Sequence, residues 1–363
     1  SLDEINDAYD AGALSNRNLI INGAMQVAQR GTSTTGITSN GYHATDRMNF
    51  YKTNSATYAV SQSTDAPAGF SYSHKVVSTT GDSSLGATDL VSPLFYSIEG
   101  QDLQHLGYGT TDGKYSTLSF WVKTNVTGTY SVSFYKTHLS ARVCSPLYTI
   151  TTANTWQYVS LTVPSDIVPI ANGTGGGLYL YFNTTVGSSY NSQPTTAWTA
   201  YNSNNWAGGH TANCFASAND SWQITGVQLE VGDTATPFEH RSYGDELAKC
   251  QRYYVQKNYT VNTYEPIKFP CWIGATSNMT GEFVHPVPMR TTPSVSNNGV
   301  GNFRVNNSEG QDETCNTIVR TGGNKYETFI TFGKPTANLT IGKCGYINTE
   351  QANDAVLYFT AEL

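Results

Sequence analysis

The sequence predicts an all-β protein in which two β-sandwich domains are joined by a short helix. Strand-length segments with alternating apolar and polar residues recur along most of the chain. Turn residues separate them at intervals near the ~8–12 residues typical of a sandwich. Charged residues make up 13% of the chain and aromatic residues 12%. Since average charged usage is about 25%, this composition favours a β-protein with a neutral polar surface.

Four regions follow from this pattern. Residues 1–17 form an N-terminal segment with a weak helical stripe, which either attaches the protein to a larger assembly or is a frayed terminus. Residues 18–241 form the first β-sandwich, residues 242–258 a linker helix, and residues 259–363 a smaller C-terminal β domain. A chain of 363 residues has the length expected of two or three domains.

The early strands of the first domain have clear signals. A strand is expected in Asn18–Arg30, interrupted by a turn at Asn22-Gly23, and another in Gly41–Tyr51. The most regular pair is TLSFWVKT and GTYSVSFYK, whose alternate apolar residues are Leu118, Phe120, Val122, Tyr130, Val132 and Phe134. Such alternation indicates that one face of the sheet is buried and the other is exposed to solvent.

The last strand of the first domain is expected to begin at Trp222. Its apolar positions, Ile224, Val227 and Leu229 included, fit a strand that slips by one residue at Gly226. An isolated glycine within a strand often marks a β-bulge, so a bulge is predicted there.

A short helix over Asp245–Tyr254 is predicted after this strand, with Ser242 or Asp245 as its cap. Leu247, Cys250 and Tyr254 have the spacing of one helical face. Because so short a helix is marginal alone, that face must be packed. It either seals one domain against the other or meets other copies around a three-fold axis, and these three residues are the predicted contacts in both cases.

Several function classes are disfavoured by composition. The formal net charge is −7 without a Lys/Arg cluster, so no nucleic-acid partner is expected. No apolar run approaches the ~18 residues of a membrane helix, and the acidic start does not resemble a signal peptide. The six cysteines contain no CxxC spacing, which argues against zinc. Free buried thiols are expected, with one disulfide among Cys271, Cys315 and Cys344 as the alternative. No metal or cofactor is predicted.

The segment 187–213 is the predicted ligand-binding site. It lacks periodicity but is rich in aromatic and amide side chains, and a loop this long is often functional. Sugar rings stack on flat aromatic side chains while amides bind their hydroxyls. The candidate glycan-binding residues are Tyr190, Asn191, Trp198, Tyr201, Asn202, Asn204 and Trp206. The alternative is that these aromatics pin the loop or form a contact between subunits.

Longer strings show a resemblance to known families. SFWVKTNVTGTYSVSFY and WQITGVQLEVGDTATPFEHR resemble jelly rolls of the carbohydrate-binding-module type. NLIINGAMQVAQRG, GYHATDRMNFY and GVQLEVGDTATPFEHRSYGDELAKCQRYY are similar to bacteriophage tail fibre and related virion proteins. The resemblance implies a jelly-roll first domain and a homotrimeric virion fibre. Such a fibre would be joined to other virion proteins by its N-terminal segment, would bind a host-surface polysaccharide or protein, and would be made in the host cytoplasm without a signal peptide. Such jelly rolls often hold calcium, but Gln223 and Gln228 stand where acidic ligands would be expected.

The sequence therefore predicts a non-enzymatic adhesion protein of the virion. One alternative is a structural head or tail fibre, or decoration protein, without a ligand. A second is a glycan depolymerase, which needs two carboxylates about 5–10 Å apart. Glu99 with Asp102, and Asp312 with Glu313, are close in sequence, although proximity along the chain does not make a cleft.

Overall fold

The computed structural model describes residues 16–259, 269–307, 310–349 and 354–363. The chain forms two compact units, divided between Glu246 and Leu247. The predicted N-terminal helical segment falls mainly on residues 1–15, outside the described residues.

The first unit is built from fifteen strands among the described residues. They are β1 (Ser33–Ile37), β2 (Gly41–Tyr42), β3 (Asn49–Lys52), β4 (Thr57–Ser63), β5 (Ser73–Thr80), β6 (Leu90–Glu99), β7 (Ser116–Thr124), β8 (Gly128–Lys136), β9 (Arg142–Ser145), β10 (Leu147–Ile150), β11 (Gln157–Val163), β12 (Gly176–Asn183), β13 (Thr185–Val186), β14 (Thr195–Ala200) and β15 (Ser221–Val231). Short 3₁₀ turns occupy Gly100–Leu106 and Ser203–Asn205.

These strands form two antiparallel sheets. The six-stranded sheet has the order β1-β4-β5-β15-β7-β11, and the nine-stranded sheet runs β14-β9-β8-β12-β6-β3-β2 with β10 on β8 and β13 on β6. One continuous hydrophobic core contains residues from both, such as Phe120 and Trp222 from the first sheet and Phe134 and Phe182 from the second. The first unit is therefore a β-sandwich of the jelly-roll class, as the sequence predicted.

Strand alternation determines which residues reach this core. All six predicted inward positions in β7 and β8 are fully buried, and Met48 and Phe50 are 1% exposed. Period-two alternation places these apolar side chains on the core face, although the outward Ser131 and Ser133 of β8 are buried as well.

Strand β15 is central to the six-stranded sheet and contains the predicted bulge. It pairs with β5 and β7, and its register against β7 shifts between Thr225 and Gln228. Gly226 has φ +62°, and a Cβ there would lie 2.7 Å from the Phe70 ring. Both the left-handed backbone and the close ring require glycine at this position.

The predicted strand in Asn18–Arg30 is wrong, because these residues form no ladder. Side chains satisfy the backbone instead. The Asn22 amide donates to the carbonyls of Val27 and Asp46 (both 2.9 Å), and its Oδ1 accepts from the Val27 N–H. The predicted turn at Asn22-Gly23 is present, with Asn22 at φ +62°. Local side-chain hydrogen bonds have displaced sheet pairing here.

The linker helix α1 spans Tyr243–Gln251. Ser242 is its cap, as predicted, since its Oγ accepts from the Asp245 N–H (3.2 Å) and donates to the Asp245 carboxylate (2.7 Å). The helix ends before Tyr254, which the spacing had placed on its apolar face. Tyr254 instead begins a strand and is 4% exposed, Cys250 is 1% exposed, and Leu247 is half-buried.

The second unit has two antiparallel sheets. Its strands are β16 (Tyr254–Tyr259), β17 (Phe269–Ala275), β18 (Asn278–Val284), β19 (Ser294–Asn297), β20 (Phe303–Asn307), β21 (Asp312–Thr314), β22 (Thr317–Gly323), β23 (Glu327–Gly333), β24 (Cys344–Thr349) and β25 (Ala355–Thr360). The orders are β16-β25-β19 and β21-β20-β24-β17-β18-β23-β22. Phe283 and Phe359 stack at 4.4 Å within a separate core, which makes this unit the predicted smaller β-sandwich.

The six cysteines all lie in described residues, and no disulfide joins any two of them. Five are buried and Cys344 is exposed. Across the described ranges, no group of three or more His, Cys, Asp or Glu residues is arranged to hold a metal ion. No helix in the same ranges is long and apolar enough to cross a membrane.

Replacing Trp222 with alanine is expected to destabilise the first unit by about 3–5 kcal/mol, because the ring is fully buried and its loss leaves a cavity. Trp272→Ala is the matched control: its ring is 48% exposed, so a loss below about 1 kcal/mol is expected. Denaturant unfolding followed by fluorescence measures both. Equal losses would contradict the assignment of Trp222 to the core.

Candidate functional site

The segment 187–213 is not a free loop but lies against the outer face of the nine-stranded sheet. Its middle forms β14, which pairs with β9 from Thr195 to Ala200. The 3₁₀ turn Ser203–Asn205 follows, and Trp206 comes directly after it. β14 shows no period-two signal in the sequence, because its two buried residues, Thr195 and Trp198, lie three positions apart.

Trp206 holds this segment on the sheet. Its indole N–H donates to Asn183 Oδ1 (3.4 Å), and its carbonyl accepts from the Ser133 hydroxyl (2.6 Å). The ring is only 6% exposed. It meets three tyrosine rings edge-on, with centroids at 4.7 Å from Tyr181, 5.4 Å from Tyr135 and 5.8 Å from Tyr201, a geometry that aromatic pairs prefer.

The outer face of the sheet around Trp206 is covered with aromatic rings. We call this surface the aromatic platform. It consists of Tyr51, Phe95, Tyr135, Tyr179 and Tyr181 from the strands, and Tyr190, Tyr201 and Trp206 from the segment 187–213.

Cross-strand pairing brings the platform rings together. Tyr181 lies opposite Phe95 in the ladder between β12 and β6, and the two rings stack at 4.2 Å. Tyr179 lies opposite Tyr135 in the ladder between β12 and β8. Tyr51 meets Tyr181 edge-on at 5.9 Å. Opposed side chains in an antiparallel sheet are close enough for such contacts.

An open cavity of about 110 Å³ lies in the platform. It is lined by Tyr51, Leu90, Tyr181, Tyr190, Tyr201 and Trp206. Within the described part of the chain, the hydroxyls of its four tyrosines, and that of neighbouring Tyr135, make no hydrogen bond to protein. The cavity therefore combines ring surfaces with unused donors and acceptors.

Three platform tyrosines, Tyr51, Tyr181 and Tyr201, remain protonated at neutral pH. Burial, followed by the proximity of Tyr190, raises the pKa of Tyr51. Burial and the neighbouring Tyr190, Tyr135 and Tyr51 raise the pKa of Tyr201. Burial likewise raises the pKa of Tyr181. Each neutral phenol can both donate and accept a hydrogen bond, which suits ligands that carry hydroxyl groups.

Three of the seven residues proposed from the sequence lie in the platform: Tyr190, Tyr201 and Trp206. The others have structural contacts. Trp198 is 8% exposed and packs in the core beside Tyr108, with its indole N–H on the Pro164 carbonyl (2.9 Å). Trp198 is buried in β14 three residues after Thr195, where the register against β9 shifts, so simple alternation does not determine its placement.

The three asparagines of the predicted site bind their own segment. Asn191 Nδ2 donates to the His210 carbonyl (3.4 Å). Asn202 caps the 3₁₀ turn, accepting from the Asn204 N–H (3.2 Å), and the Asn204 carbonyl accepts from the Gln193 N–H (3.0 Å). Asparagine caps turns because its short side chain reaches the nearby backbone.

Sequence reasoning missed the strand residues of the platform, although a signal was present. Tyr51, Phe95, Tyr135, Tyr179 and Tyr181 all occupy positions on strands opposite to the buried face. Large rings at outward positions of consecutive strands indicate a binding face, because such positions normally carry small polar residues.

A larger groove of about 560 Å³ lies on the outer face of the six-stranded sheet. Phe70, Trp121, Tyr158, Phe238 and His240 line it, with Gly226 among the lining residues. One of its lining residues, Thr236, is already bound: its N–H (2.9 Å) and its hydroxyl (2.5 Å) donate to Glu230. The smaller cavity is the better glycan candidate because four tyrosine hydroxyls without a protein partner among the described residues line it, whereas the lining of the larger groove includes a single tyrosine, Tyr158.

In the two carboxylate pairs considered for catalysis, the members differ in exposure or bind different cations. Glu99 is fully buried and accepts from the Gln101 amide (2.9 Å), whereas Asp102 is exposed. Asp312 binds Arg304 (2.8 Å) and Glu313 binds Lys334 (2.9 Å). Each of the latter two pairs with its own cation, as surface carboxylates commonly do.

Comparison with known proteins gives structural likeness only. No protein-family model matches the chain, and no curated protein does. Solved structures similar to it include the enzymatically active domain of bacteriophage CBA120 tailspike protein 4 (15% identity, TM-score 0.31, 59% of this chain and 21% of that one). A family 4 carbohydrate-binding module is also similar, with 10% identity and a TM-score of 0.28 over 58% of this chain and 97% of that one. The CBM22-1 xylan-binding domain of Paenibacillus barcinonensis Xyn10C has 10% identity and a TM-score of 0.26 over 58% of this chain and 99% of that one. This chain thus spans about a fifth of the tailspike structure.

Buried His210 supports the segment that carries Trp206. Its ring contacts the Ser131 hydroxyl (3.3 Å) and the Ala212 carbonyl (2.9 Å). Burial lowers its pKa from 6.5 to about 4. Between these values the unfolded chain binds more protons than the folded one, so stability is complete above pH 6.5 and falls as the pH drops towards 4.

His210→Gln is expected to remove this part of the pH dependence. Wild-type protein should lose up to roughly 3 kcal/mol more stability than the variant between pH 7 and pH 4, given about 1.4 kcal/mol for each pKa unit. Denaturant unfolding at both pH values measures the difference. The other histidines titrate in both proteins and cancel. Parallel pH profiles would show that His210 is not held neutral.

Proposed function

We propose that this chain is a non-enzymatic bacteriophage virion protein that attaches the particle to its host by binding a surface glycan on the aromatic platform. The platform is the observation that carries the proposal. Its rings come from strands of one rigid sheet and from a segment fixed on that sheet by Trp206. A site held by packed strands keeps its geometry without a ligand, which lowers the entropic cost of binding.

The chemistry of the platform suits a carbohydrate. Pyranose rings have CH-rich faces that pack on aromatic rings, and their hydroxyls need hydrogen-bond partners when water is displaced. Tyr190 and Tyr201 provide ring surface at the rim, and the cavity tyrosines provide unused phenol hydroxyls. An apolar ligand would leave those hydroxyls without partners.

The site is proposed to bind and not to cleave. The six residues that line the cavity include no carboxylate, whereas glycoside hydrolysis in most families needs two. A cavity of about 110 Å³ is smaller than the ~300–1,000 Å³ of typical ligand pockets, so each site would bind weakly. Several copies on one particle would make attachment firm by raising the effective concentration.

The virion assignment is supported by the sequence resemblance, above all by the string from GVQLEVG to CQRYY. This string spans the bulged strand β15 and the capped helix α1, two features with specific backbone requirements. A homotrimer is part of the proposal, as are partner proteins of the virion that hold the N-terminal segment.

A structural fibre or decoration protein without a ligand is the rival proposal. The burial of Trp206 favours it, because a ring that pins a segment serves folding as well as binding. Incubation of the purified protein with host cells separates the functions. Specific retention supports adhesion, no retention supports a scaffold, and released oligosaccharide indicates a depolymerase.

Tyr201→Ala is expected to weaken glycan or cell binding about tenfold, because an interface aromatic ring commonly contributes more than 1 kcal/mol. Tyr201 is 39% exposed, so folding should be preserved. Tyr158→Ala removes a comparable ring, 46% exposed, from the opposite sheet and should leave binding unchanged. Titration of each variant against the retained ligand measures the effect. Equal affinity of Tyr201→Ala and wild type would remove the platform from the proposal.

The trimer is tested by the mass of the protein in solution. If the trimer implied by the resemblance forms, a chain of 39.4 kDa should give a species of about three times that mass. A monomer at micromolar concentration would contradict the trimer. Avidity between the three copies of one trimer would then not be part of the proposed mechanism.

A further inference from the structure

We infer that the platform selects neutral glycans and discriminates against sugars that carry carboxylate, sulfate or phosphate groups. The inference rests on the proposed function and adds the charge class of the ligand. Recognition of an anionic sugar in proteins normally requires Arg or Lys beside the anion. The cavity lining, four tyrosines with Leu90 and Trp206, contains no charged side chain.

The segment that crosses the platform is itself uncharged. From Gly187 to Asn213 the sequence contains no Asp, Glu, Lys or Arg, and its one titratable base is His210. That ring is buried beneath the segment and is held by Ser131 and the Ala212 carbonyl. Its lowered pKa keeps it neutral at physiological pH.

The cations on the platform strands are directed away from it. Lys52 follows Tyr51 on β3, and strand alternation turns it to the core side, where its ammonium donates to the Ala56 carbonyl (2.5 Å). Lys136 follows Tyr135 on β8 in the same way, and it pairs with Asp166 (2.8 Å) while fully buried. Where the tyrosines face outward, the next residues must face inward.

Arg142, the third cation on the described strands of this sheet, is also engaged. Arg142 on β9 binds Asp166 through two nitrogens (2.7–3.2 Å) and donates to the Trp198 carbonyl (3.0 Å). An anionic group placed on the platform would therefore lose its hydration without gaining a cation in exchange. Such a loss is costly even when burial is partial. A neutral sugar has no such penalty, and its hydroxyls match the phenols.

The experiment measures binding to a panel of neutral and acidic oligosaccharides. The panel includes uronic-acid oligomers beside their carboxyl-reduced neutral forms, which differ only in having a hydroxymethyl group where the acid has a carboxylate. Neutral members are expected to bind at least about tenfold more tightly, the difference that about 1.4 kcal/mol produces. Their affinity should be unchanged at ~1 M salt, where the screening length falls to about 3 Å.

The outcomes separate this inference from the proposed function. If acidic members bind as tightly as neutral ones, and Tyr201→Ala weakens them, glycan binding stands and the neutral preference is wrong. If no member of either class binds, the proposed function and this inference both fail. Binding that is unaffected by Tyr201→Ala shows a glycan site elsewhere and also overturns the inference.

A charge-introducing variant provides a second test. Tyr190→Lys places an ammonium at the cavity rim, and Tyr190→Gln is the matched control that removes the same ring without adding charge. Relative to the Gln variant, the Lys variant is expected to bind acidic members about tenfold more tightly, with that gain lost at high salt. Equal affinities of the two variants for acidic members would show that the missing cation does not determine selectivity.

Discussion

The structure of the first unit depends on one constraint: each strand of its two sheets has a single face available for the common core. In β12, Leu178, Leu180 and Phe182 are fully buried, so Tyr179 and Tyr181 must face outward. The same alternation brings Phe50 inward on β3 and leaves Tyr51 outside. Because the period of a strand is two, a large apolar residue at every second position determines the side of all the others. The platform is thus a geometric consequence of the core.

The constraint also sets the charge of the platform. The lysines that follow Tyr51 and Tyr135 lie on the core side, where they need partners because buried ammonium groups are costly. Lys136 has Asp166 at 2.8 Å, and Lys52 has the Ala56 carbonyl and the Tyr58 ring at 5.4 Å. The core therefore contains the cations, and the outer face contains neutral rings. Lysine is almost never fully buried unless it is paired, and both lysines here have partners.

A polar layer connects the sheet to the segment that covers it. Asn183 Nδ2 donates to the hydroxyls of Ser131 (3.0 Å) and Ser133 (2.7 Å), and its Oδ1 accepts from Ser92 (2.9 Å) and from the Trp206 indole. This network lies on the outer side of the sheet and is fully buried. A satisfied polar network of this kind specifies one arrangement, because each alternative leaves a group unpaired. It explains why an aperiodic, Gly- and Asn-rich segment has a defined position.

The sequence by itself determined those features that depend on local periodicity and local backbone chemistry. It gave the all-β class, the inward residues of β7 and β8, the bulge at Gly226 and the cap at Ser242, because alternation, glycine and short polar side chains act over a few residues. Tertiary structure decided the rest. Hydrogen bonds from Asn22 to Val27 and Asp46 stabilise a non-strand conformation in Asn18–Arg30. Tyr254 pairs with β25 as part of a strand and is therefore not in the helix. The binding face, finally, joins Tyr51, Phe95 and Tyr181 from strands far apart in sequence with Trp206. Only the order of strands in the sheet makes such residues neighbours, and no local signal encodes that order.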